Sequence, residues 1–184
     1  MASDYRSPHV TQIDSGKCRR TNCWAAVGAY LVRSATRGRK RPTPMQFRKA
    51  AGALKDCRTG GLGDIVVGCA KYGVNAKLLL DVPRDKASAK FSSNKSTKVY
   101  AVPFDWEVWP LIDKCAGDYD GYHMAALVPG LNKKTEIRTM DPLCNRHRWV
   151  KRKRIMNSAI EYNNEHFGQK KNTIDMVVVN VPKR

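Results

Sequence analysis

The run 23–35 limits the possible folds of this chain more than any other stretch. Trp24, Gly28, Leu31 and Ala35 recur at helical spacing, with Val27 and Ser34 beside them. Ala25, Ala26, Gly28 and Ala29 leave most of the remaining surface small. Neighbours can approach such a helix closely from nearly every direction, so it is expected at the centre of a domain and largely buried. A buried central helix needs other layers to cover it, and 184 residues with 42% hydrophobic content supply them.

A cysteine stands where this helix begins. The sequence Thr21-Asn22-Cys23-Trp24 turns from a polar stretch into the apolar run. A helix N-terminus carries unpaired backbone N–H groups and roughly half a positive charge, which favours thiolate over thiol. The same N–H groups can stabilise an oxyanion beside the sulfur. That suits nucleophilic catalysis, provided a general base comes from elsewhere in the chain. Without one, Cys23 is a small buried core residue.

The clearest strand signal supplies a candidate base. Residues 122–128 and 135–140 are apolar and β-branched runs separated by Pro129-Gly130-Leu131-Asn132, a hairpin pattern. With the turn near Gly130 and Leu131, residues whose numbers add to about 261–264 should face each other, and His123 and Asp141 add to 264. The hairpin therefore sets an imidazole beside a carboxylate that can orient it and select one tautomer.

The other elements fall in order around these two. Thr43-Pro44 opens a second helix carried by Met45, Phe47 or Arg48, Ala51 and Leu54. The glycine-rich turn at 57–63 lacks the Lys-Ser/Thr of a phosphate loop and leads into a third helix over 64–71. Short strands are expected at 75–80 and 99–102, a mobile surface loop at 83–98, and a helix from Phe104 to Cys115 that passes through Trp106 and Trp109. A basic amphipathic helix with Val150, Ile155, Ala159 and Tyr162 inward follows, and 174–181 reads as a final strand. The order, helices first and antiparallel strands after, is α+β. A single domain over 1–184 is expected, with 1–11 as a flexible arm and 144–184 as a helix–strand extension.

Charge and cysteines bound the partners and the compartment. There are 34 Lys+Arg against 16 Asp+Glu, a formal net charge of +18. That balance favours nucleic acid, an anionic polymer, a membrane surface or an acidic protein, with Arg39, Lys40, Arg41, Lys151, Arg152, Lys153 and Arg154 as the candidate contacts. No apolar run approaches the ~18 residues of a membrane span, and residues 1–10 lack the apolar core of a signal peptide. Folding in a reducing cytosol, with the six cysteines unpaired, is the resulting expectation. The cysteine spacing contains no paired C-x-x-C units, so neither a zinc site nor any other metal or cofactor is expected.

Asn22-Cys23-Trp24-Ala25-Ala26, Gly121-Tyr122-His123-Met124-Ala125 and Asp141-Pro142-Leu143 together resemble the papain-like cysteine peptidases. Within them the sequence is similar to the compact branch of bacteriocin-processing (double-glycine) peptidases and phage-encoded relatives. The resemblance spans roughly residues 12–143. It implies a papain-like fold, Cys23 as nucleophile, His123 as base and Asp141 as orienter. A peptide or peptidoglycan-like substrate is implied as well. The family's oxyanion glutamine usually stands five or six residues before the cysteine. Lys17 and Cys18 hold those positions here, and Gln12 is the nearest glutamine upstream. Trp24, Trp106 and Tyr122 are candidates to line a substrate cleft. The alternatives are a peptidase fold without its chemistry, such as a phage virion component, and a polyanion-binding protein.

Overall fold

The computed structural model describes residue 10 and residues 21–53, 57–93, 97–105, 122–129, 135–144, 146–168 and 171–182. The small-residue run forms α1 (Cys23–Ala35), and all of its residues from Cys23 to Val32 are buried. It ends where Arg37 and Gly38 take positive φ, a left-handed turn that an α-helix cannot continue through. Helix α2 (Pro44–Ala50) begins with a full capping box. The Thr43 side chain accepts from the Gln46 N–H, and the Gln46 side chain accepts from the Thr43 N–H. Helix α3 (Leu62–Lys71) follows the glycine-rich turn.

Phe47 of α2 explains two glycines on its neighbours. A Cβ at Gly28 of α1 or at Gly68 of α3 would overlap the Phe47 ring. Only hydrogen at both positions lets the three helices close on one aromatic side chain, which has no exposed surface.

Six strands form one antiparallel sheet among the described residues. They are β1 (Ala76–Pro83), β2 (Lys98–Asp105), β3 (Tyr122–Val128), β4 (Glu136–Met140), β5 (Arg148–Lys151) and β6 (Thr173–Asn180). Their order is β1-β6-β2-β3-β4-β5. Alternate residues of β2 and β6 enter two core clusters. Val99, Ala101, Val177 and Val179 pack with α1. Tyr100, Val102, Ile174, Met176 and Val178 pack with α5 (Arg152–Phe167). The sheet thus separates two apolar layers, as a two-sided sheet must.

Several expectations are corrected. The stretch 83–98 is not a loop throughout: Arg84–Ser92 forms α4. Its composition is polar, but Ala87 and Phe91 lie four apart and are fully buried, and Phe91 meets Tyr100 edge-on at 5.4 Å. Two apolar residues on one face suffice to dock a short helix whose other faces meet water. Phe104 and Asp105 do not start a helix but extend β2, where Phe104 pairs with His123 and is buried. The remainder of the expected helix to Cys115 lies outside the described residues. Val150 belongs to β5, opposite Ile137, so α5 begins only at Arg152. Helix α2 stops at Ala50, short of the expected Leu54.

The segment 144–184 is woven into the sheet: β6 lies between β1 and β2. The hairpin register is also shifted, since Leu127 pairs with Thr139 and Val128 with Arg138, pairs that add to 266. Finally, Cys57 and Cys144 each take part in a disulfide, whereas Cys23 and Cys69 are free. The expectation of unpaired cysteines throughout was drawn from compartment alone; bonding depends on which sulfurs the fold brings together.

Candidate active site

Antiparallel pairing brings three chain segments to one end of the sheet. The start of β3 lies beside the end of β2, where Asp105 pairs with Tyr122, and the end of β4 lies beside the start of β3. His123 is therefore carried on a strand interior to the sheet, and Asp141 follows directly on the last residue of β4. The register places them two residues off direct opposition, on a diagonal. Even so, His123 Nε2 lies 2.8 Å from Asp141 Oδ1. The same oxygen accepts the Leu143 N–H at 2.9 Å, so the turn through Asp141-Pro142-Leu143 holds the carboxylate toward the imidazole. The His123 and Asp141 side chains are 1% and 0% exposed.

Cys23 meets this pair from the other layer. It is the first residue of α1, is buried, and lies close enough to His123 to favour the charged imidazole. Burial pulls the imidazole toward its neutral form. The Asp141 carboxylate opposes this by charge and by hydrogen bond, Cys23 adds to it, and the balance pushes His123 up from 6.5 to about 10. The carboxylate thus favours the imidazolium form over the neutral ring.

Asn22 occupies the N-cap position of α1 but makes no capping hydrogen bond with its side chain. Its amide oxygen is taken instead by Nη1 of Arg48 at 3.1 Å, and its Nδ2 by the Met45 sulfur at 3.6 Å. Arg48 has no exposed surface; it also donates to the Ala53 and Arg58 carbonyls and lies 5.6 Å from the Trp24 ring centre. The side chain at the N-cap position is thus drawn away, so Asn22 does not cap the first N–H groups of α1 next to Cys23. Sequence reasoning weighed Arg48 only as a helix position. Its one local signal is its place next to Phe47 in the part of α2 expected to be buried.

The other sequence candidates divide. Trp24 is fully buried, 6.2 Å from Phe47 in an edge contact, and is a core residue with no surface for a substrate. Tyr122 is 44% exposed beside His123 and remains at the surface of the site. It packs edge-on against Tyr162, ring centres 4.8 Å apart. Gln12 and Trp106 lie outside the described residues.

The basic runs are remote from these residues. Arg39, Lys40 and Arg41 follow the C-terminal end of α1, opposite Cys23, and each donates to a backbone carbonyl, of Thr36, Tyr72 and Gly38 respectively. Lys151 pairs with Glu136 at the far end of β4 from Asp141, and Arg152, Lys153 and Arg154 continue from it into the first turn of α5. No helix among the described residues is long and apolar enough to cross a membrane.

A buried thiol at a helix start, an imidazole on a strand and a carboxylate after the neighbouring strand thus come together at one end of the sheet. The chain is similar to a C39-like peptidase of Bacillus anthracis, with a TM-score of 0.63 at 12% identity, covering 100% of this chain and 98% of that one. It is also similar to the peptidase domain of Streptococcus ComA, described as a bifunctional ABC transporter of a quorum-sensing pathway. There the TM-score is 0.59 at 16% identity, covering 96% of this chain and all of that one. This protein has the papain-like cysteine peptidase fold in its C39-like form. No family model matches the sequence, and no curated protein matches it.

Proposed function

We propose that the protein is a thiol hydrolase that cuts a peptide or amide bond through an acyl-enzyme on Cys23. The observation that carries this reading is the buried His123, bonded to Asp141 at 2.8 Å and engaged with Cys23 at the start of α1. With Nε2 directed at Asp141, Nδ1 is the ring nitrogen left to exchange a proton with the thiol. The Cys23 thiolate attacks the carbonyl carbon, and the first N–H groups of α1 stabilise the oxyanion. As the C–N bond breaks, the imidazolium gives its proton to the leaving amine. Neutral His123 then takes a proton from water, the resulting hydroxide attacks the thioester, and the acid and the thiol are released. A peptide is the substrate class this chemistry and the C39-like fold favour.

Alkylation with iodoacetamide near neutral pH, read by peptide mass spectrometry, tests the reading. Cys23 should react fast and His123→Ala should slow it about tenfold or more, since a thiolate loses its imidazolium partner. Cys69 is an internal control, because burial pushes its thiol up to about 12. Equal, slow reaction of Cys23 and Cys69 would end this reading. A second reading, a peptidase fold retained without catalysis, is favoured by Lys17 and Cys18 standing where the family carries its glutamine. Cys23→Ala that leaves the biological role intact would support it.

A further inference from the structure

A second feature lies at the same end of the sheet as His123. Where β1, β6 and the end of α5 meet there is a cavity of about 270 Å³. Pro83 pairs with Thr173 at the start of β6, and β6 runs antiparallel to β2, whose last residue, Asp105, pairs with Tyr122. The cavity is therefore two strands from the strand that carries His123. An aromatic path joins them: Phe167 lines the cavity and touches His166 at 4.8 Å, His166 stacks on Tyr162 at 5.3 Å, and Tyr162 meets Tyr122.

The donors of this cavity, the Lys171 ammonium and the Thr173 hydroxyl, both go to Asp81 and leave two buried acceptors under-supplied. Asp175 is 7% exposed, and its carboxylate accepts the Asp81 N–H at 2.8 Å but pairs with no cation among the described residues. Asn163 is 4% exposed. Its Nδ2 donates to the Thr173 carbonyl at 3.2 Å, which fixes the amide orientation and leaves Oδ1 buried with no donor. A buried carboxylate with one hydrogen bond and a buried carbonyl oxygen with none are costly unless a ligand supplies donors. The Lys171 ammonium sits on the exposed Asp81 carboxylate at 3.3 Å. Leu80 and Phe167, 60% and 53% exposed, give the mouth apolar walls.

We propose that this cavity is a subsite for the basic side chain, Lys or Arg, of a peptide substrate, a proposal that rests on the hydrolase reading above. The cationic head supplies several donors to Asp175 and to Asn163 Oδ1, while its aliphatic stem lies between Leu80 and Phe167. A divalent cation fits less well: it would seek six or more oxygens, and the apolar walls offer none.

The test uses N-acetyl-lysine amide and N-acetyl-norleucine amide as probes, titrated against the full chain and followed by NMR. The lysine probe should bind saturably, and the norleucine probe about tenfold or more weaker, the loss of a charge-assisted contact. Asp175→Asn, which keeps an oxygen for the Asp81 N–H, should weaken lysine about tenfold and leave norleucine unchanged. Phe167→Ala, an exposed position, should weaken both probes. Equal binding of the two probes, no saturable binding (a cavity that holds only water), or an unaffected Asp175→Asn variant would overturn the proposal. Alkylation of Cys23 in the same samples separates the two ideas. Lost lysine binding with His123-dependent alkylation intact sinks the subsite alone. Lysine binding without His123-dependent alkylation sinks the hydrolase reading and, with it, the assignment to a substrate.

Discussion

Replacing Asp141 by Asn tests the electrostatics of the site with little change in shape. Asn keeps one carbonyl oxygen that can accept both from His123 Nε2 and from the Leu143 N–H, the two contacts Asp141 Oδ1 makes at 2.8 and 2.9 Å. The loss is the negative charge. A hydrogen bond to a charged group contributes about 1.5–3 kcal/mol against about 0.5–1.5 for a neutral one, so at least about 1 kcal/mol of preference for imidazolium disappears. The full Coulombic attraction at about 4 Å, with an effective dielectric near 20, is about 4 kcal/mol and sets the upper end. At about 1.4 kcal/mol per pKa unit, His123 should fall by roughly one to three units. Burial, which pulls its pKa down, then acts with less opposition.

The assay is an NMR pH titration of the imidazole carbon-bound protons, with His123 assigned among the four histidines by a His123→Gln reference. The parent protein should hold His123 protonated until the pH nears about 10. In the variant the midpoint should lie between about 7 and 9, and Cys23 alkylation at neutral pH should slow. An unmoved midpoint in the variant, with circular dichroism unchanged, would refute the argument. So would a parent midpoint near the ordinary histidine value.

The same shift makes stability depend on pH. The folded pKa of His123 lies above its unfolded value of about 6.5, so the stabilisation is complete below that value and is lost as pH rises through about 10; urea midpoints at pH 6 and pH 10 should show the loss. Gly28→Ala should destabilise by about 1–3 kcal/mol, because its methyl must displace the Phe47 ring, and an unchanged urea midpoint would mean that the three helices are loosely packed. Arg48→Met should cost about 3 kcal/mol or more in urea unfolding by stranding the Asn22, Ala53 and Arg58 oxygens; a neutral result would show that these oxygens find other donors. Thr43→Ala should cost about 1 kcal/mol by the same measurement through loss of the capping box.

Much of the site was legible because its parts are local. The Thr43-Pro44 cap, the helix beginning at Cys23 and the hairpin strands each follow from spacing within a few residues, and each is present. His123 and Asp141 are 18 residues apart, joined by one hairpin, and their contact survives a register shifted from the expected one because the side chains reach diagonally. Helix α4 was hidden because polar composition says nothing about the two residues that dock it. Trp24 was misplaced because an aromatic residue looks the same in sequence whether it faces a core or a cleft.

The sequence by itself determined that a small-residue helix must be central, that a cysteine begins it, and that a histidine and an aspartate share a hairpin. Those are consequences of periodicity, capping and turn chemistry, which act over one or two turns of chain. Only the tertiary structure decided that Cys23 meets His123 across a hundred residues, that β6 enters between β1 and β2, and that Arg48 reaches under the helix start to hold Asn22. Such contacts depend on which surfaces pack together once the chain has closed its long loops, and no short window of sequence carries that choice.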